Sequence, residues 1–547
     1  MFELIFFSIL TLIIVTPCGS IFFKQNNNIV SLSNNLIYGI ILISFITLVI
    51  NFFFPLNALV NTLILILPLS IILKNLKTYL SSNFLKFLFF NSIIIFLLVA
   101  KSNVYRPDAI LYHLPYTGIL NNEKIIFGLS NLHFRFAHIS IIQYFASFFN
   151  NFLFNIQGIV FSLAIISSAI IVNFLTQVFF YLKNKIFNFH FFFLFFILIF
   201  IAYKMNRYSE YGNDAPTHFL FFFLISELIQ SFNKKDNPFN SNHLLLSVFI
   251  VLNKITMAFA IFLPFIFQKK KNLFKIFIIP KNYFALIFLT LWILKNIIVS
   301  GCMIYPVNKL CFKSLEWTNI SEVKAVSQEN EAWTKSWPDY KNINQISQSE
   351  YSANFNWVNT WSKTHLKKII KILVPYFFLL ILISLIINFK YKKKEKPQFK
   401  DSKKNFLILI FLMIAFSIIW FLKVPVFRYG YSYFVSFLAL SFAYICSFNK
   451  YIKNSVYKFL NFFLIFFIVI FVLKNMHRIL KPESVFKSYI PQINFLNNTD
   501  VNKIKLGNFT YYESSKMCGY SFSPCTHYKN KKLKSKRYYG YKVIIND

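Results

Sequence analysis

Acidic residues are scarce in this chain of 547 residues: aspartate and glutamate together number 19, against 57 lysines and arginines. Charge of either sign is absent, or nearly so, from the stretches 2–22, 84–100, 159–181, 370–387 and 406–421. Each is long enough to cross ~30 Å of hydrocarbon as a helix. With 56% hydrophobic residues and a mean hydropathy of +0.55, a soluble globular class is excluded. The apolar runs do not alternate with a period of two, which excludes a membrane barrel, the other structure that satisfies its own backbone in lipid. The first stretch lacks a basic leader, so it reads as a first span and not as a signal peptide.

Arginine is scarcer still, at Arg106, Arg135, Arg207, Arg428, Arg478 and Arg537 alone. The chain is rich in Phe, Ile, Lys and Asn together, the coding bias of an AT-rich genome, and that bias accounts for much of the lysine. Where a point charge suffices this chain writes Lys. A retained Arg therefore hints at a need for the planar, bidentate fork. The formal net charge of +38 does not indicate nucleic acid, because the lysines cluster between the apolar runs, where membrane topology needs them.

The basic connections at 74–86, 183–185, 234–235, 269–275, 390–396 and 450–453 read as cytoplasmic. The connections 101–155, 204–215, 300–368 and 423–425, with the tail from 474, then face outward. Parity requires that 244–267 form two short helices broken near Asn253 and Lys254, and that 138–155 lie along the surface without crossing. The expectation is an all-α polytopic membrane protein with about fourteen spans. Residues 1–473 form the membrane domain, 101–155 and 300–368 are two large outward loops, and 474–547 is a small extracytoplasmic tail or cap.

Six cysteines fit this map. Cys18 and Cys446 fall within spans as inert thiols. Cys518 and Cys525 lie in the outward tail, where a local disulfide is permitted, and Cys302 and Cys311 could form another. Neither pair has the company of zinc ligands.

Against so few acids, those at outward helix ends stand out. Asp108 opens Asp108-Ala109-Ile110-Leu111-Tyr112-His113-Leu114-Pro115; helical from Pro107, it would share a face with Tyr112 at i,i+4. A polar, aromatic segment holding Arg135 and His138 follows, suited to an interfacial helix. A second acid, Asp214, precedes Pro216 at the start of a span, where an N-cap role competes with a site role. Lys254 falls at the expected helix break. Arg428 begins a late span, where it would either snorkel to headgroups or pair with phosphate. Five of the seven tryptophans lie within 300–368, as a cover over the cavity that could stack on sugars, or as interfacial anchors, which suits Trp357 and Trp361.

An acid in the first large outward loop and a second on a later short one resemble the glycosyltransferase-C superfamily, to which bacterial aminoarabinose and protein mannosyltransferases belong. More closely, DAILYHLP, GLSNLHFRFAH, GNDAP, NKIT, KNIIVSGCMIYP, FRYGYSYF and CGYSFSPC resemble an uncharacterised bacterial family of polytopic proteins placed near that superfamily. The resemblance implies that Asp108 is the general base, that Asp214 is the second-loop acid, and that Lys254 and Arg428 are the mid-span lysine and the late arginine. Arg106, Tyr112, His113 and Arg135 are further substrate-binding candidates. Asn213 and Lys295 depart from the pattern, which has Ser or Pro and Arg there.

The implied activity is transfer of a sugar from a polyprenyl-phosphate donor to a glycan, lipid or protein acceptor, at the outer face of a bacterial inner membrane. Lys254 and Arg428 would meet the donor phosphate. Two carboxylates alone are a poor metal site, and a divalent ion is left open. Two rivals remain. A flippase of lipid-linked sugars would bind phosphate without chemistry, but no clear internal repeat supports it. An O-antigen ligase or polymerase is also polytopic with a large outward loop.

Overall fold

The computed structural model describes the chain except residues 24–26, 103–106, 206–211, 233–240, 268–278, 342, 344, 390–399, 448–453, 482–488, 492–500, 508, 515–517, 529–531 and 547. Among the described residues the helices that build the bundle are α1 (Phe2–Gly19), α2 (Ile29–Asn51), α3 (Ala58–Lys74), α4 (Ser82–Val99), α5 (Asn155–Lys183), α6 (Phe189–Lys204), α7 (Asp214–Phe232), α8 (Ser241–Asn253) and α9 (Ile255–Ile266). They continue with α10 (Pro280–Ser300), α11 (Ile320–Thr334), α12 (Val358–Asn388), α13 (Lys403–Lys423), α14 (Phe427–Cys446) and α15 (Val456–Leu480). Ten of these are long and apolar enough to cross a membrane, and α3, α6, α8 and α9 are shorter apolar helices. The protein is a multi-pass helical membrane protein.

Packing follows from how apolarity is distributed around each helix. In α6, FHFFFLFFILIFIAYK, every side chain from Phe189 to Ala202 is buried, as expected of a helix apolar all round that sits at the bundle centre. Its one polar intruder, His190, is satisfied by Tyr181 Oη at 3.0 Å and Ser226 Oγ at 2.8 Å. By contrast α12, α13 and α15 bury only 28% of their apolar windows and turn Phe378, Phe411 and Phe462 outward, where lipid is the natural solvent. α1 and α2 cross backbone to backbone: a Cβ added to Gly39 would lie 2.1 Å from the Val15 carbonyl oxygen. Small residues let membrane helices approach this closely.

Arg478, near the end of α15, shows what the fork is used for. It donates to the carbonyls of Ala100 at 2.7 Å and Leu98 at 3.4 Å, and also to Leu97 and to the Ser102 hydroxyl. These include carbonyls left unpaired at the C-terminal end of α4, so one planar side chain closes a helix end.

Leu244–Phe267 was expected as two short helices broken near Asn253 and Lys254. α8 ends at Asn253, Lys254 is extended (φ −152°, ψ 111°), and the chain turns into α9. Phe267 then meets Phe232 of α7, ring centroids 4.7 Å apart, so α9 returns along the bundle. The carbonyls exposed by the break have partners: Asn253 accepts from the Asn213 amide at 2.7 Å and Leu252 from the Ile141 N–H at 3.0 Å. The segment 139–149, expected to lie along the surface, is instead buried within the protein and holds the short helix Ile142–Ser147.

Trp357 and Trp361 are not interfacial anchors. They are 2% and 5% exposed, and the Trp361 indole N–H donates to the Pro425 carbonyl at 2.6 Å. The expectation of an all-helical chain also fails at the tail. α15 runs through the expected boundary at 473 to Leu480, and β1 (Val501–Leu506), β2 (Phe509–Ser514), β3 (Cys525–Thr526), β4 (Leu533–Tyr538) and β5 (Tyr541–Asn546) follow. Short strands with Thr and Tyr suit a half-buried sheet. β1 and β2 pair antiparallel with Val501 opposite Ser514, β3 joins β2 in parallel, and β4 and β5 form a hairpin.

These strands are stitched to the first loop. Phe127 N–H donates to Lys542 O at 3.0 Å, Ile544 N–H to Phe127 O at 2.9 Å, and the Asn131 amide to Ile544 O at 2.9 Å. Disulfides join Cys518 to Cys525 and Cys302 to Cys311, and Cys18 and Cys446 are buried free thiols. The first loop, the connection between α10 and α12, the α13–α14 turn and the strands thus gather at one end of the bundle. Of the basic connections, 234–235, 269–275, 390–396 and 450–453 lie outside the described residues.

Candidate functional site

A cavity of about 810 Å³ opens at that end, and Asp108, Tyr112, His113, Arg135, Asp214, Lys254 and Arg428 all line it. Each is placed by a helix end or a helix break. Asp108 precedes a π-helical turn (Ala109–His113) that runs into the helix Leu114–Asn122, so Tyr112 and His113 follow it onto the cavity wall. Asp214 is the first residue of α7, Arg428 the second of α14, and Lys254 the extended residue between α8 and α9. Arg106 lies outside the described residues, as does Arg207.

Four charges form one network. Lys254, whose side chain is 7% exposed, is ion-paired with Asp214, and its ammonium lies 4.0 Å from the Tyr429 ring centroid. Arg428 reaches both acids, Nη1 to Asp108 Oδ2 at 3.2 Å and Nε to Asp214 Oδ2 at 3.7 Å. The Asp214 carboxylate is thus turned to the two cations. Arg428, a third exposed, neither snorkels away nor stands alone: its guanidinium lies 5.7 Å from the Trp333 ring, carried over the cavity by α11. Buried ions need such partners, because desolvation otherwise outweighs their attraction.

His218, one helical turn beyond Asp214, locks α7 to α14. Its Nε2 donates to the Arg428 carbonyl at 2.8 Å, so its Nδ1, 2.8 Å from Ser432 Oγ, accepts. This positions Asp214 and Arg428 against each other. Spacing offered the signal, since Asp214 and His218 are i,i+4, but a histidine next to a span start is unremarkable on its own. Tyr429 was likewise visible only as an aromatic neighbour, whereas Trp333 belongs to the tryptophan-rich segment read as a cover over the cavity.

On the opposite wall the Arg135 guanidinium lies over the rings of Tyr112 and Phe134, at 5.3 and 5.1 Å. Burial, and after it the Asp108 carboxylate, raises the Tyr112 phenol well above its usual range, so it is a neutral donor at neutral pH. His113 is buried with Nδ1 2.8 Å from the Gln143 amide nitrogen, and burial lowers its pKa to about 4. His138 is lowered to about 3, first by burial and then by Arg135 and Lys295. Both rings are neutral at pH 7.

No group of three or more His, Cys, Asp or Glu that could hold a metal ion occurs among the described residues. Asp108 and Asp214 are both engaged by basic side chains. The cavity can do two things chemically: accept a proton on a carboxylate held by an arginine, and meet an anion with cations and neutral donors.

Residues 1–435 match the family model described as Domain of unknown function (DUF8201), and the chain belongs to that family. No curated protein matches, and no solved structure does.

Proposed function

We propose that this member of the DUF8201 family transfers a sugar from a polyprenyl-phosphate donor to a glycan, lipid or protein acceptor, with inversion, at the extracytoplasmic face of a bacterial inner membrane. On this reading α8 and α9 count with the other helices toward about fourteen membrane segments, and the loops over the cavity are of the glycosyltransferase-C type. The supporting observation is that Asp108, Asp214, Lys254 and Arg428, distant in sequence, line one cavity at the helix ends.

Asp108 takes the proton of the acceptor hydroxyl, a contribution of ~10²–10⁴-fold. The acceptor oxygen bonds to the anomeric carbon as the bond from that carbon to the phosphate oxygen breaks, and polyprenyl phosphate leaves with the electron pair. Arg428, partly exposed to the cavity, stabilises the charge that grows on the phosphate, usually the larger effect. Lys254 and Asp214 hold Arg428 and each other in place. Trp333 covers the sugar.

The helix break at Lys254 favours a second reading, a carrier of lipid-linked sugars, because carriers use broken helices at their binding sites. Reconstituted Asp108→Asn separates the two. Transfer predicts that release of polyprenyl phosphate stops while lipid-linked sugar still binds, and undiminished release removes the base assignment.

A further inference from the structure

The cavity carries more positive charge than its aspartates neutralise. Lys254 and Arg428 are engaged with Asp214 and Asp108, and Glu331 on the cavity roof is taken by Lys335 at 2.7 Å. Arg135 lines the same cavity and has no ion pair among the described residues. Behind the wall lies Lys295, 0% exposed, on the face of α10 that also carries Trp292 and Asn296. Its Nζ has no hydrogen-bond partner among the described residues and lies 5.2 Å from the Trp292 ring centroid. An ammonium buried in a membrane protein without a partner is costly, and such groups mark binding sites.

The neighbouring polar atoms share this state. Trp292 Nε1, Asn296 Oδ1 and His138 Nδ1 are buried without hydrogen-bond partners among the described residues, and all three side chains line the cavity. Buried polar atoms are nearly always paired, so several orphans on one wall describe a surface made for a ligand. Two cations and an indole N–H ask for an anion, and the two acceptors beside them ask for hydroxyls.

We propose that the wall formed by Arg135, His138, Trp292 and Asn296, backed by Lys295, is a subsite for a compact oxyanion, a phosphoryl or carboxylate group. Arg135 and the Trp292 indole N–H meet it directly, and Lys295 supplies the counter-charge behind them. It is distinct from the charge-balanced Asp108, Asp214, Lys254 and Arg428 network. It rests on the sugar-transfer reading only for which molecule carries the anion: the donor, whose lipid phosphate would be held here from the side of the cavity away from Arg428, or an acidic acceptor arriving from water.

Calorimetric binding to the full chain in nanodiscs tests this without turnover, so its failure is separate from failure of the sugar-transfer reading, which product release measures. The probes are decaprenyl phosphate, neutral decaprenol and inorganic pyrophosphate. Arg135→Gln and Lys295→Met should each weaken binding of the anionic probes about ten- to a hundredfold, as loss of a charge-assisted contact does. Trp292→Phe, which keeps the ring and removes only the N–H, should weaken it less. Binding of decaprenyl phosphate alone assigns the subsite to the lipid donor, and pyrophosphate binding of similar strength assigns it to a soluble anion. Unchanged affinity in both charge variants, equal affinity for decaprenol, or no binding of either anion overturns the proposal.

Discussion

The Arg428 guanidinium meets the Asp108 carboxylate at 3.2 Å although 320 residues separate them. The pair joins the first loop to the start of α14, and through Asp214 and Lys254 it also reaches α7 and the α8–α9 break. One network thus reports on the placement of four elements.

Replacing Asp108 with Asn keeps the side chain's shape and removes the proton acceptor. Sugar transfer in proteoliposomes should fall by ~10²–10⁴-fold. Thermal unfolding of the purified variant should change little by comparison, and a fall in rate matched by a collapse in stability would mean that Asp108 serves the fold.

Asp214 and Lys254 should be coupled. Lys254→Met leaves the Asp214 carboxylate to Arg428 alone and Asp214→Asn strands an ammonium, so the double variant should lose less stability than the two single variants summed. A double-mutant cycle should return an interaction of about 1–3 kcal/mol. Additive effects would mean that Lys254 is held by the Tyr429 ring instead.

Acid should loosen the first loop through His113. Burial keeps its folded pKa near 4, below the ~6.5 of an exposed ring. Between these values the unfolded chain binds more protons, so this contribution is full above pH 6.5 and is lost as pH falls toward 4. His138 acts with the same sign down to about 3. Unfolding temperatures measured from pH 7.5 to 4 should show the loss, and His113→Gln should remove part of it.

Gly39→Leu should separate α1 from α2, because its first side-chain carbon would already lie 2.1 Å from the Val15 carbonyl oxygen. A cost of about 1–3 kcal/mol is expected for overpacking and should appear as a lowered unfolding temperature. Gly507, where a Cβ would meet only Ser535 at 3.4 Å and beyond, is the control for space, although its positive φ adds strain of its own.

Continuous apolarity made the helical membrane class legible, and a lysine inside an apolar run made the break at Lys254 legible, since each follows from solvation alone. The strands were hidden because Lys503, Lys505, Lys534 and Lys536 fall in a lysine-rich tail that reads as a solvated segment. Trp357 and Trp361 look like anchors from their position beside a span, and only the fold shows Pro425 waiting for an indole N–H. Within the site, scarcity made Asp108, Asp214 and Arg428 conspicuous. Lys295 stood out only as a lysine where the resemblance has Arg, and its complete burial is visible in the fold alone.

The hydrogen bond from the Asn131 amide to the Ile544 carbonyl spans 413 residues. A nascent chain inserts its helices in order, so the bundle can be assembled in lipid while the segment around Phe127 and Asn131 still lacks its last partners. The first loop therefore gains its last hydrogen bonds late in biogenesis, and a ribosome stalled after α15 would leave an inserted protein whose first loop lacks them.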